Sequence, residues 1–135
     1  MAELPRAGDV ARKDVPTCSL DERLGDVRER AAAGGWEVCV VVNEERIVMG
    51  LLRENELAAG EDESVEQVMR PGPSTFRPHV GIEEITEFMI HHDRPNVPIT
   101  ASDGRLVGIL LRTDAAKAAL QVHKEHGEKH EHEGS

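Results

Sequence analysis

The sequence predicts an α+β fold made of two copies of one β-α-β-β-α motif. Three observations predict it. Positions repeat at an offset of 58 residues, the distance from Gly50 to Gly108. Each copy sets a helical stripe of apolar residues before two unbroken apolar runs, a switch from helix period to strand. The composition is aliphatic: 39% of residues are hydrophobic, 31% charged and only 2% aromatic, so Val, Ile, Leu, Met and Ala must build the core.

The offset pairs Val10 with Val68, Arg12 with Arg70, Thr17 with Thr75, Glu29 with Glu87 and Leu52 with Leu110. Leu24 falls on Ile82, Val27 on Ile85 and Val48 on Leu106, while Ile47 against Arg105 is a mismatch. This register divides the chain into an N-terminal segment (1–7), a first motif (8–64), a second motif (65–122) and a tail (123–135).

Each motif opens on a short extended lead-in, VPTCS or PSTFRP. A helix follows. In the first copy Leu20, Leu24, Val27 and Ala31 share one face, Ser19 and Glu22 form a capping box at the start, and Gly34-Gly35 ends it. In the second copy Ile82, Ile85 and Met89 make the stripe and Arg94-Pro95 closes it. Two strands come next, VCVVVN with RIVMGLL and NVPIT with RLVGILL; the second pair is joined through Asp103-Gly104, a strong turn signal. Their continuous apolar character predicts strands covered on both faces. A last helix begins at Asn55 or Thr113 as N-cap, which places Glu56 and Asp114 in its first turn.

On residues alone, two readings of Asp114 stand. It is a first-turn acid favoured by the helix dipole, or a carboxylate that binds a ligand. Trp36, the only Trp, either covers a helix end or offers a stacking face.

The formal net charge of −10 and the pI near 5.1 exclude a nucleic-acid partner, which needs a basic face, and disfavour anionic membrane surfaces. MAELPRAGDVARKD contains no apolar run, so no secretory leader is expected and the cytoplasm is the expected compartment. Cys18 and Cys39 are expected to be reduced thiols. Nucleophile elbows, phosphate-binding glycine loops and paired metal-binding histidines are absent, so no enzyme is expected. His91-His92 beside Asp93 reads as a helix end. In the tail, His123, His126, His130 and His132 carry imidazoles that ligate metals, but their mixed spacing in a polar segment assigns no metal site; a disordered, solvated tail is expected.

The lead-ins VPT (15–17) and PST (73–75), the linker VMRPGPSTFRP (68–78), RIVMGLLRENE (46–56), NVPIT (96–100) and GRLVGILLRTD (104–114) together resemble a tandem pair of cystathionine-beta-synthase (CBS) domains, a Bateman module. The resemblance covers residues 8–120. It implies two motifs related by a pseudo-two-fold axis, sheets packed together, and helices outside. It also implies two clefts that take adenosine-containing ligands such as AMP, ATP or S-adenosylmethionine, with no required cofactor. Carried over residue by residue, one cleft holds Thr17, Trp36, Glu37, Val38 and Asp114, with Arg112 or Arg12 in reach of phosphates. The weaker cleft holds Glu56, Thr75, Arg94, Pro95 and Asn96.

Asp114 would take the ribose diol, whose two O–H donors match two carboxylate acceptors. Leu111 and Arg53 stand where the family often has a hydroxyl for phosphate, so the first cleft is expected to favour AMP, adenosine or S-adenosylmethionine over ATP. The function this implies is a non-catalytic regulatory module, a homodimer through its outer helices, signalling to a partner protein. The alternative is a ligand-independent dimeric interaction module.

Overall fold

A computed structural model describes residues 4–122; the predicted His-rich tail and residues 1–3 lie outside the described residues. In chain order the elements are α1 (Ala7–Val10), β1 (Thr17–Cys18), α2 (Leu24–Ala33), β2 (Cys39–Val42), β3 (Val48–Leu52), α3 (Glu54–Leu57), α4 (Val65–Val68), β4 (Arg70–Pro71), α5 (Ile82–His91), β5 (Asn96–Thr100) and β6 (Leu106–Leu111). A last helix, α6, runs over 112–122. Shifting α1 and α2 by the sequence offset lands them on α4 and α5, residue for residue.

The first sheet has strand order β1-β2-β3-β4, with β1 parallel to β2 and the other pairs antiparallel. In the second, β5 and β6 pair antiparallel, Phe76 bridges Ile99 in parallel and Arg12 bridges Ile109 in antiparallel. These bridges repeat the first sheet: Cys18 faces Val41 as Phe76 faces Ile99, and Arg70 faces Leu51 as Arg12 faces Ile109. The closing strand of each sheet therefore comes from the other motif, from the stretch that runs directly into VPTCS or PSTFRP and forms one lead-in with it.

That exchange explains the two glycines at the ends of the repeat offset. A Cβ on Gly108 would sit 2.7 Å from the Arg12 carbonyl oxygen, and one on Gly50 would sit 2.8 Å from that of Arg70. Only glycine lets the exchanged backbone lie so close.

Each helix layer buries its own aliphatic cluster. Leu24, Val27, Cys39, Val41, Leu52 and Val65 pack together in one half. Ile82, Ile85, Val97, Ile99, Leu110 and Ala7 do so in the other. Ala7 and Val65, from α1 and α4, each sit in the core opposite their own motif. A third cluster, with Val40, Leu51, Leu106 and Ile109, is sandwiched between the sheets. The strands β2 and β5 are buried along their whole length, as their apolar runs predict. Ile47 and Arg105, the mismatched pair, bridge each other across the pseudo-two-fold axis, where a residue meets its own counterpart.

Helix starts differ from expectation. The helix predicted from Ser19 begins at Leu24 with Arg23 as N-cap. Ser19 and Glu22 instead close a separate turn, the Ser19 backbone N–H donating to the Glu22 carboxylate at 2.8 Å. The reason lies in the backbone of Arg23, which is engaged in an antiparallel bridge to Ser64 and cannot extend the helix backwards. Likewise Arg53, not Asn55, caps α3, and its N–H donates to Glu56 at 2.9 Å. Helix α6 starts before Thr113, the Arg112 N–H donating to the Pro95 carbonyl at 2.8 Å. Cys18 and Cys39 are free and buried, and the Cys18 thiol is held above its ordinary pKa by a hydrogen bond with Cys39 and then by burial.

Candidate ligand clefts between the motifs

Two clefts open between the motifs and map onto each other through the pseudo-two-fold axis. The first, about 350 Å³, is lined by Trp36, Glu37 and Val38 after α2, by Arg12 and Asp14 of the lead-in, by Leu111 at the end of β6 and by Thr113 at the start of α6. The second, about 410 Å³, places Arg94 where the first has Trp36, Arg70 where it has Arg12, and Arg53 where it has Leu111.

The local fold explains how Trp36 arrives there. Gly35, with φ of 73°, turns the chain out of α2, and the Trp36 N–H returns to the Ala31 carbonyl at 2.9 Å. The ring is left half-buried at the cleft. In the second copy Asp93, with φ of 50°, does the work of Gly35 and delivers Arg94.

Asp114 stands in the first turn of α6, as its sequence position predicts, and its carboxylate is gripped by Arg12. The Arg12 Nε donates to Oδ2 at 2.7 Å and a terminal nitrogen donates to Oδ1 at 3.2 Å, a bidentate fork. The hydrogen bond from Arg12 is the main reason that the Asp114 carboxyl lies below its ordinary pKa. The same guanidinium stands 5.9 Å from the centre of the Trp36 ring, within cation–π range. Arg12, in the lining, thus links Trp36, also in the lining, to Asp114, which the lining does not include. Its counterpart repeats the pairing, the Arg70 Nε lying 3.2 Å from the Glu56 carboxylate.

The other predicted residues distribute unevenly. Thr17 lies in β1 opposite Val40, with its carbonyl accepting from Arg30 at 3.0 Å, and it does not line the first cleft. Arg112 points away, to Asp93 at 2.9 Å. Thr75 is exposed on the second lead-in, next to Ser74, which does line the second cleft. Asn96, buried, and Pro95 line the first cleft rather than the second. Asn96 forms the wall between the two: its side-chain oxygen and its carbonyl each accept from Arg53 at 3.0 Å.

Asp14, Arg53 and Arg70 were not assigned to a site from the sequence. For Arg70 the signal was in the register, where Arg12 and Arg70 are identical and Asp114 and Glu56 are both acids. Among the described residues no group of His, Cys, Asp and Glu is placed to hold a metal, and no helix is long and apolar enough to cross a membrane.

Two intertwined motifs with a cleft on each side of the axis define a paired-repeat module. The CBS domain family model matches the chain twice, over residues 7–60 and 65–121, and the chain belongs to that family. It is 31% identical over 61 residues to the CBS domain-containing protein CBSX2, chloroplastic, of Arabidopsis thaliana, which covers 45% of this chain and 26% of that protein. It is 32% identical over 117 residues to the inosine-5'-monophosphate dehydrogenase of Methanocaldococcus jannaschii, 83% of this chain and 23% of the enzyme. The chain spans about a quarter of the length of these curated relatives.

Among solved structures, CBSX2 in complex with AMP superposes with a TM-score of 0.78 at 20% identity, covering 88% of this chain and 98% of that one, a likeness of fold. The cytosolic domain of the Mg2+ channel MgtE in complex with ATP superposes with a TM-score of 0.77 at 25% identity, over 85% and 49% of the two chains.

Proposed function

We propose that this protein is a non-catalytic regulatory module that binds an adenine nucleoside, or a nucleotide of low charge, in the first cleft. The observation that carries the reading is Arg12, held between Asp114 and the face of Trp36. Both contacts can be exchanged for ligand contacts. A ribose diol donates two O–H groups to the carboxylate that now accepts from the guanidinium. An adenine ring takes the place of the guanidinium over Trp36. The freed Arg12, largely exposed, is then available to the single phosphate of AMP.

Asp14 and Glu37 add negative charge to the same cleft, which supports adenosine, AMP or the cationic S-adenosylmethionine over ATP. Arg12 belongs to the lead-in that closes the second sheet. Displacing it would bias the join between the motifs, the change a partner protein could read, provided the ligand prefers one of the two states. That CBSX2 and MgtE were solved with AMP and with ATP supports an adenine ligand for this relative.

Titration of adenosine, AMP, S-adenosylmethionine and ATP against Trp36 fluorescence, paralleled by calorimetry, tests the reading. The first three should change the emission and ATP should bind more weakly; absence of heat and of emission change with all four would overturn it.

The ligand-independent interaction module remains the second reading, and one observation favours it: Arg12 already satisfies both oxygens of Asp114. Under either reading we place a homodimer contact on α5. Ile90 there is 62% exposed, whereas Asp26, Glu29 and Arg30 cover the outer face of α2. Light scattering should give a dimer mass that Ile90→Glu reduces to the monomer; a monomer for the parent chain at tens of micromolar would sink the placement.

A further inference from the structure

Cys18 and Cys39 lie outside both cleft linings, but each ends a segment that forms a wall of the first cleft. Cys39 follows directly on Trp36, Glu37 and Val38, and Cys18 closes the lead-in that carries Arg12 and Asp14. The strands that hold them pair in parallel, Thr17 opposite Val40 and Cys18 opposite Val41. Cys39 precedes Val41 by two positions, so strand alternation puts it on the same sheet face as Cys18. Both belong to the cluster with Leu24 and Val27 of α2, Cys18 at 5% exposure and Cys39 at 0%. Their thiols share a hydrogen bond.

While β1 is docked the pair is held as thiols. The hydrogen bond with Cys39, then burial, raise the Cys18 pKa, and the thiolate is the reactive form. Yet β1 is a weakly held part of its sheet. It has two residues and sits at the edge in the order β1-β2-β3-β4. Its Thr17 carbonyl accepts from Arg30, whose side chain is half-exposed and also pairs with Glu22. Short edge elements of this kind open at low free-energy cost. Opening of β1 presents Cys18 to solvent while Cys39 stays in the core.

We propose that Cys18 and Cys39 form a reversible dithiol–disulfide switch, oxidised by hydrogen peroxide, that sets the spacing of the first cleft's walls. The Cys18 sulfur attacks one peroxide oxygen as the O–O bond breaks. The thiol proton leaves with the other oxygen as water, and Cys18 becomes a sulfenic acid. The Cys39 sulfur then attacks the Cys18 sulfur: the S–S bond forms, the S–O bond breaks, and the hydroxyl leaves with the Cys39 proton as a second water. Two electrons pass from the sulfur pair to the peroxide, and a thiol reductant restores them. A disulfide spans Cα atoms about 4.4–6.8 Å apart, whereas a diagonal step between neighbouring strands is about 7–8 Å. Closing the bond therefore draws β1 along β2 and shifts Arg12 and Asp14 against Trp36, Glu37 and Val38. The repeat offset puts Phe76 and Val97 at the matching positions of the second motif, so the switch acts on the first cleft alone. It goes beyond the ligand reading of that cleft and does not depend on it.

Exposure of the full chain to hydrogen peroxide, followed by alkylation under denaturing conditions and mass measurement, tests the proposal. Both cysteines should escape alkylation, and peptide mapping should find Cys18 joined to Cys39 within one chain. Trp36 emission should shift on the same time course, and dithiothreitol should reverse both changes. Cys18→Ala and Cys39→Ala should each lose the cross-link and the reversible emission shift. Adenosine should bind the oxidised chain about five-fold or more weakly than the reduced one. A pair that stays alkylatable, a cysteine that goes on to sulfinic acid without a cross-link, or a cross-link between two chains overturns the proposal. So does an intrachain disulfide that leaves Trp36 emission unchanged. Absence of adenosine binding in both forms removes the first-cleft ligand reading, while the cross-link and the Trp36 emission still decide this one.

Discussion

The two clefts share one frame and differ in the walls around it. In each, an arginine of an exchanged lead-in pairs with an acid in the first turn of the helix that follows the last strand: Arg12 with Asp114, Arg70 with Glu56. Around that common pair, Trp36 and Leu111 line one cleft while Arg94 and Arg53 line the other. The difference teaches where duplication is constrained. The ion pair joins the motifs and is kept in both copies. The walls have diverged into an aromatic, acid-bearing cleft and a cationic one.

The largest effect should come from breaking the frame itself. Gly108→Ala drives a methyl group into the backbone of Arg12, and Gly50→Ala does the same at Arg70. Each should cost about 2–3 kcal/mol, the scale of overpacking against backbone that cannot yield. Denaturant midpoints measure it. Gly25→Ala, whose nearest new contact would be 3.3 Å away, is the control and should cost far less. Gly108→Ala should also weaken adenosine at the first cleft, while Gly50→Ala, on the other side of the axis, should weaken it less.

Asp114→Ala comes next. It should remove both diol contacts and lower adenosine affinity by about 1.5–3 kcal/mol, the worth of hydrogen bonds to a charged group. Glu56→Gln should leave adenosine untouched. Arg12→Ala sharpens the comparison by its sign: it releases the Asp114 carboxylate, so adenosine should bind more tightly, while AMP, which loses a phosphate partner, should gain less. Calorimetry with both ligands reads the split, and a loss of adenosine affinity in Arg12→Ala would contradict the displacement of Arg12 by ligand.

Trp36→Ala should cost about 1–3 kcal/mol of adenosine affinity, the range for base–aromatic stacking. The matched change, Arg94→Trp, should bring a second emitting ring to the other cleft. Unchanged adenosine affinity in Trp36→Ala would return that residue to a packing role.

The smallest effect concerns pH. The Asp114 carboxyl has a folded-state pKa depressed below its ordinary value of 3.8, through the Arg12 hydrogen bond first. A depressed acid contributes stability that is fully present above its unfolded-state value and is lost as pH falls through its folded-state value. The stability difference between the parent chain and Asp114→Asn should therefore be flat from neutral pH down to the ordinary carboxylate range and shrink below it. A difference that grew on acidification would contradict this sign.

Much of this was legible in the chain because its causes are local. The aliphatic stripes of α2 and α5 and the continuous runs of β2, β3, β5 and β6 follow from periods that any short window reveals. Gly50 and Gly108 marked the register although their reason, a crossing backbone, lies elsewhere in the chain. The four-residue helices α1 and α4 were not legible, since one turn carries no period. Helix starts moved because Arg23 and Arg53 were held by strand bridges or capping contacts outside the stripes that predicted them.

By itself, then, the sequence determined the duplication, the order of elements and the acid at the start of the last helix, because backbone propensity and burial act over a few neighbouring residues. Only the tertiary structure decided what that acid faces. Arg12 and Asp114 are 102 residues apart, and Thr17, Arg112 and Asp114 itself lie outside the lining of the cleft their motifs implied. Which side chains meet there depends on the exchange of lead-ins across the pseudo-two-fold axis. That exchange is set by the packing of whole sheets and appears in no single stretch of the chain.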